Sequence, residues 1–255
     1  MSRDADSWER MLESMRVFFQ TVPEASEGGL NLQLVGVQAG ITPAVPERSL
    51  PNSVVYRDED ALEAALDELA AAYDEAGVQA WTVWVPDYHE RARKLLQRAG
   101  HVLDANPAAM LASLSALEPP RDDDPKPDPN PTHDDVGRIN DLAYGTGDAF
   151  QRILGGGVAD PAFTYIARVE GEAVASVVTN DHEGDCSVWW VATVPEARGR
   201  GLAAGLMRRA LADGRERGCE ITTLQATKLG GPVYERLGYR AFGTVEMWER
   251  RKAPS

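Results

Sequence analysis

The densest chemistry in this chain lies in Val194-Pro-Glu-Ala-Arg-Gly-Arg-Gly-Leu-Ala203. Gly199 and Gly201 let the backbone turn tightly and aim several amide N–H groups at one point. A helix that starts there adds its unpaired N-terminal donors and the positive end of its dipole. Together these groups make an anion site sized for a pyrophosphate, with Arg198 and Arg200 supplying charge. The run is neither Gly-x-Gly-x-x-Gly nor a phosphate loop ending in Gly-Lys-Ser/Thr, so a nucleotide is less favoured. An isolated Arg-Gly-Arg-Gly would be a solvated turn; the flanking elements select the anion site.

Those elements are legible from periodicity. Residues 186–194 form an apolar strand stopped at Pro195. Residues 201–217 form a helix with Leu202, Leu206, Ala210 and Leu211 on one face and Arg208, Arg209 and Asp213 on the other, capped by Gly218. A strand at 221–226, a helix at 232–237 stopped by Gly238, and a strand at 243–249 follow. Upstream, 133–144 reads as a helix, and 163–169 with 173–179 as a hairpin around Glu170-Gly171. Trp189 and Trp190 are strand neighbours and should face opposite sides, one in the core and one free to wall a substrate cavity.

Residues 119–131 hold alternating prolines and acids and read as an extended, solvated linker. Before it, 8–19 reads as a short amphipathic helix and 30–37 as a possible strand. Residues 58–76 form a clear helix on Leu62, Leu66, Leu69 and Tyr73. A strand at 81–85, a helix at 88–99 and a strand at 110–114 complete this half. The halves end alike: Gln97-Arg-Ala-Gly-His101 mirrors Glu235-Arg-Leu-Gly-Tyr239, and strands carrying Met110 and Met247 follow. One α/β unit used twice accounts for this.

Arg198-x-x-Gly201-x-Ala203 resembles the Q/R-x-x-G-x-G/A signature of the GNAT superfamily, which binds the pyrophosphate of coenzyme A. Pro232-Val-Tyr-Glu-Arg-Leu-Gly-Tyr239, about 35 residues downstream, is similar to the helix that closes that family's cofactor cleft. The resemblance covers 132–250. It implies a mixed, mostly antiparallel α/β sheet flanked by helices, with two GNAT-like units in tandem. It implies that strands 188–194 and 221–226 splay apart around the pantetheine arm, which pairs with backbone groups at Ala192, Thr193 and Val194. Gly199, Arg200, Gly201, Leu202 and Ala203 would hold the phosphates together with Arg198. Tyr234, four residues before Gly238, stands where the family keeps its proton donor. The resemblance implies acetyl-CoA as cosubstrate and a small-molecule primary amine as acceptor. An acyl-CoA sensor without turnover is the alternative. The general base is open: His182, Glu183, Asp185 and Glu246 read as solvated, and water or an unprotonated amine could serve.

This divides the chain into a degenerate GNAT-like domain at 1–118, a linker at 119–131 and a catalytic domain at 132–255. Residues 1–118 lack a glycine-arginine loop, and Leu96 stands where Tyr234 stands in the other half. The net charge of −14 argues against nucleic acid, and residues 1–131 carry −12 of it, with 11 basic and 23 acidic residues. No apolar run approaches membrane length and no signal-peptide pattern opens the chain, so a cytoplasmic protein, monomer or homodimer, is expected. Cys186 and Cys219 stand far apart in sequence with no histidine at ligand spacing. Reduced, buried thiols and no metal are expected.

Overall fold

The computed structural model describes residues 3–155 and 162–252. A long helix, α1 (Arg3–Glu24), precedes the antiparallel strands β1 (Leu30–Leu34), β2 (Val37–Ile41) and β3 (Ser53–Tyr56). Then come α2 (Glu59–Glu75), β4 (Ala80–Pro86), α3 (Glu90–Arg98), β5 (Val102–Ala105) and β6 (Ala108–Ser113). The second half opens with α4 (His133–Tyr144) and α5 (Ala149–Ile153). It repeats the order with β7 (Ala162–Val169), β8 (Glu172–His182), β9 (Asp185–Thr193), α6 (Leu202–Glu216), β10 (Ile221–Ala226), α7 (Gly231–Arg236) and β11 (Arg240–Arg251).

The repeat is written into the helix ends. After α2, the Gly77 N–H donates to Asp74 and the Val78 N–H to Tyr73. After α6, Gly218 donates to Arg215 and Cys219 to Gly214. After α3, Gly100 donates to Gln97 and His101 to Leu96; after α7, Gly238 donates to Glu235 and Tyr239 to Tyr234. The same paired cap thus closes all four helices, and the resemblance of 97–101 to 235–239 has a hydrogen-bonding basis.

Neither half completes its own sheet. The strand order is β1-β2-β3-β4-β11-β6-β10-β9-β8-β7, with β5 also on β11. β6, from the first half, lies between β10 and the start of β11, pairing Ile221 with Ser113 and Arg240 with Leu111. The end of β11, from the second half, lies between β4 and β5, pairing Trp248 with Val83 and with Leu103. The halves exchange equivalent strands across a crossing point where the Val245 N–H donates to the Pro107 carbonyl at 3.0 Å.

Three apolar clusters follow. One packs α2 and α3 on the first half of the sheet, and one packs α6 on the second. The third spans both halves on the opposite face, under α1 and α4. α1 runs well beyond the expected 8–19 because its apolar stripe continues: Trp8, Met11, Met15, Phe18, Phe19 and Val22 are all buried. β3, β5 and α5 escape sequence reading because they are four or five residues long, too short for a period to show.

The acidic proline-rich segment is not a solvated tether. Asp124 is buried, pairs with Arg208 of α6 and accepts from the Arg121 N–H at 2.8 Å. The Asp128 N–H donates to the Ile166 carbonyl at 2.8 Å, and its carboxylate pairs with Arg168 at 2.5 Å. Arg208 and Arg168, on the second half, recruit Asp124 and Asp128, while Asp122 and Asp123 stay exposed as the sequence suggested. Among the described residues, no helix is long and apolar enough to cross a membrane.

Asp185, expected to be solvated, is buried where α1 crosses the roots of β9 and β10. One oxygen accepts from Ser14 at 2.7 Å and Thr223 at 2.6 Å; the other, also buried, has no partner. Burial raises its pKa from 3.8 to about 7, against the lowering effect of those two hydroxyls. The native state therefore keeps a proton that the unfolded chain loses, so the stability from this group falls as pH rises from about 4 to about 7. Asp185→Asn removes the titration while keeping the shape. Denaturant unfolding should show the variant gaining on the wild type by on the order of 4 kcal/mol between acidic and alkaline pH. A pH-independent difference would contradict the buried, titrating carboxyl. Because each half lacks its inner strand, residues 132–255 expressed alone should fail to give a cooperative thermal transition. Adding residues 1–118 as a separate chain should restore one.

Candidate functional site

β9 and β10 are parallel and meet at one register position, Ile221 opposite Asp185. The Thr222 hydroxyl adds a tie to the Cys186 carbonyl at 2.7 Å. Beyond these, no ladder joins the strands, and they form a V open at their C-terminal ends.

Which backbone groups face the V follows from antiparallel alternation. The Val194 N–H donates to the Val174 carbonyl at 2.9 Å, so positions 194 and 192 turn their backbone toward β8. Positions 193 and 191 turn theirs away from it. Of Ala192, Thr193 and Val194, only Thr193 aims its backbone at the cleft. The Tyr144 hydroxyl donates to the Val191 carbonyl at 2.8 Å, and Arg198 Nε to the Thr193 carbonyl at 3.2 Å. Arg198 Nη2 also reaches the Ala143 carbonyl at 2.8 Å. Arg198 thus braces the loop against β9 and the end of α4. Arg200 is exposed, with no ion-pair partner among the described residues.

The loop itself is an amide cradle. A single 3-10 turn, Pro195–Ala197, leads from β9 into Gly199 (φ +75°) and Gly201 (φ +74°), both in the left-handed region. α6 then starts with Gly201 as its N-cap and no side-chain cap. Its first backbone bond runs from the Gly205 N–H to the Gly201 carbonyl. The N–H groups of Gly199, Arg200, Gly201, Leu202, Ala203 and Ala204 donate to no protein group among the described residues. Six consecutive free donors at the positive end of a 15-residue helix fit a polyphosphate. The corresponding turn of the first half is the reverse. α2 is capped by the Asp58 carboxylate, which accepts from the Ala61 N–H at 2.9 Å, and Glu59 and Asp60 fill its first turn.

The adjacent tryptophans do not face opposite sides. Trp190 has φ +47°, and the pairing of β9 with β8 slips by one residue between Ser176 and Val178. This bulge breaks the alternation. Trp189 stacks on Phe18 with centroids 3.7 Å apart, and Trp190 meets the same ring edge-on at 5.1 Å. Phe150 of α5 flanks Trp190 at 6.1 Å. A left-handed tryptophan carries no sequence signature, so the bulge is visible only in three dimensions.

Tyr234 lies half-buried on α7, edge-on to Tyr239 at 5.9 Å. Burial first, and the neighbouring Tyr144 second, push its phenol above the usual tyrosine range. It therefore holds its proton at neutral pH. Tyr144, which the sequence marked only as a helix end, thus joins the site by bonding to the Val191 carbonyl.

The other candidate bases lie elsewhere. Asp185 sits at the root of the V, under α1. Glu246 pairs with Arg93 at 2.9 Å and accepts from Trp248 Nε1 at 2.8 Å in the first half. Glu183 occupies the β8–β9 turn, and His182 lies 3.9 Å from Glu13. Among the described residues, no group of three or more His, Cys, Asp or Glu could hold a metal ion.

Residues 160–241 match the family model described as Acetyltransferase (GNAT) domain. The fold of the whole chain agrees. A GCN5-related N-acetyltransferase from Kribbella flavida superposes with a TM-score of 0.70 at 15% identity, covering 96% of each chain. A putative acetyltransferase of the GNAT family from Novosphingobium aromaticivorans DSM 12444 gives 0.56 at 20% identity, over 92% of this chain and 99% of that one. A tandem GNAT protein from the clavulanic acid biosynthesis pathway gives 0.52 at 13% identity, over 86% and 79%. No curated protein matches the sequence.

Gly201→Val forces a β-branched residue into φ +74°, at a strain of roughly 1–2 kcal/mol, and screens the free amides. Calorimetric titration with coenzyme A should show at least tenfold weaker binding. Arg198→Ala should weaken binding less and lower the melting temperature, since it removes a brace. Unchanged affinity in both variants would refute the cradle.

Proposed function

We propose that this protein transfers the acetyl group of acetyl-coenzyme A to a primary amine of a small molecule. The observation that carries this reading is the run of six unpaired amides, Gly199 to Ala204, at the mouth of the β9–β10 cleft. The same end of the cleft holds a protonated tyrosine. Gly199 to Ala203 would hold the pyrophosphate, Arg200 would add charge, and Thr193 would pair with the pantetheine arm. The bound thioester supplies the activated acyl carbon.

The chain's own groups then have defined tasks. The Thr193 N–H, turned away from β8, donates to the carbonyl oxygen as negative charge develops there. Tyr234 protonates the departing thiolate, a task suited to a phenol kept protonated by burial. Trp190 and Phe150 wall the acceptor side. A cavity of about 500 Å³ lined by Ser26, Glu27, Ala44, Arg152 and Gly155 opens beside α5, with walls from both halves. With Asp185 and Glu246 engaged elsewhere, the amine delivers its proton to water.

On this reading residues 1–118 are a degenerate GNAT-like unit that shapes the acceptor side, 119–131 connect, and 132–255 catalyse. The capped, acidic start of α2 leaves the first half no anion cradle, so one coenzyme A per chain is expected.

Tyr234→Phe keeps the ring and removes the proton. Free-thiol release from acetyl-CoA with an amine panel should show kcat lower by roughly 10²–10⁴, with cofactor affinity held. A variant as fast as the wild type would remove Tyr234 from the mechanism. Tight acetyl-CoA binding with no thiol release for any amine would select the sensor.

A further inference from the structure

The first half keeps a split sheet of its own. β3 and β4 are parallel and pair at Ser53 with Thr82 and at Val54 with Val83. β2 then holds β3 as far as Tyr56, and β11 holds β4 as far as Pro86. Past Val54 and Val83 no register pair joins the two strands, so they part toward their C-terminal ends, as β9 and β10 do. α1, β3 and β4 stand in the order of the first half where α4, β9 and β10 stand in that of the second. At this second opening, α1 and the strand ends border a cavity of about 510 Å³.

Its walls are aromatic and held in place. Trp8, Leu12, Tyr56 and Tyr88 line it. Trp8 meets Tyr88 edge-on at 5.4 Å and Phe242 at 4.9 Å, and a Cβ on Gly243 would stand 2.7 Å from the Trp8 ring. Tyr56 is buried, and its hydroxyl shares a hydrogen bond with His89 Nδ1 at 2.9 Å. Tyr88 is 53% exposed, so its ring is open to a ligand.

The charges around the cavity are asymmetric. Arg16 donates to both oxygens of Glu13, and Arg57 donates to Asp58 at 3.3 Å, so each of these cations has its own carboxylate. Glu9 also lines the cavity and has no ion-pair partner among the described residues. Asp87, next to Tyr88, accepts from the Thr244 N–H at 2.7 Å. Burial lowers the pKa of His89, so at neutral pH it adds no cation. The start of α2, with the Asp58 cap and then Glu59 and Asp60, repels an anion. The free amides of the second-half opening suit a polyphosphate; a free carboxylate beside aromatic rings suits the opposite charge.

We propose that the opening between β3 and β4 is a second ligand site, for a small organic ammonium ion with an apolar body. The body packs on Trp8, Leu12 and Tyr88, and Glu9 faces the ammonium group. The volume is that of an ordinary small-molecule site. The first half thus retains the split-strand geometry of the second and reverses the charge of what it holds.

The test uses the full-length protein and benzyltrimethylammonium, read by nitrogen–proton correlation NMR, with the Trp8 indole signal identified through Trp8→Phe. The expected result is a saturable shift of that indole signal. Phenylacetate and benzyl alcohol carry a similar ring with the opposite charge or none, and should bind at least about tenfold more weakly. Tyr88→Ala should weaken benzyltrimethylammonium about tenfold and Glu9→Gln about threefold. Both side chains are exposed, so the fold should hold, and a dispersed spectrum checks it. Added salt should weaken the wild type more than Glu9→Gln. No saturable shift at Trp8, equal binding of phenylacetate, or unchanged affinity in both variants would each overturn the proposal. A shift confined to Trp190 would place the ammonium in the second half and overturn it too. Benzyltrimethylammonium has no N–H to acetylate, so these outcomes are independent of whether the protein turns over acetyl-CoA.

Discussion

Every strand edge presents backbone donors and acceptors that must find partners, and here those partners come from the other half of the chain. β6 leaves the first repeat to sit between β10 and β11, and the end of β11 leaves the second to sit between β4 and β5. An unpaired backbone group buried away from water costs roughly 1–3 kcal/mol. Six register pairs join β6 to β10 and seven join β11 to β4, so neither half can close without the other. The exchange fixes one half against the other, and with it the surface that α1 covers.

That reciprocal closure leaves one place in the second half where pairing is deliberately incomplete. β9 and β10 share a single ladder position and then part, because β6 holds β10 from one side while β8 holds β9 from the other. The cleft is a gap between strands that are each secured elsewhere. Its free amides stay available because α6 has a glycine N-cap, whereas α2 supplies its own carboxylate. One carboxylate at a helix start separates filled backbone donors from free ones.

α1 connects this geometry to the remainder of the molecule. Its Phe18 and Phe19 pack on Trp189 in one half and on Trp84 in the other. Ser14 reaches the buried Asp185 at the root of the V. The strained backbone at Trp190 persists because Phe18, Phe150 and the Ser176 hydroxyl, which donates to the Trp190 carbonyl at 3.2 Å, surround it. Packing on one face of the sheet thus sets the shape of the opening on β9.

The sequence by itself determined the features whose cause is local. The 221–226 strand, the helices at 58–76 and 201–217, the hairpin at Glu170-Gly171 and the glycine loop were all readable, because period, caps and turn residues act over a few positions. The repeated Gly100 and Gly238 caps were readable for the same reason. Tertiary structure decided what depends on partners distant in the chain. The strand exchange, the bracing of Arg198 by Ala143 and the hold of Arg208 on Asp124 belong to that class. So does the shared face of Trp189 and Trp190. Each depends on where a neighbour from another element supplies a hydrogen bond, a charge or a packing surface. Residue type and spacing along one strand carry no record of that neighbour.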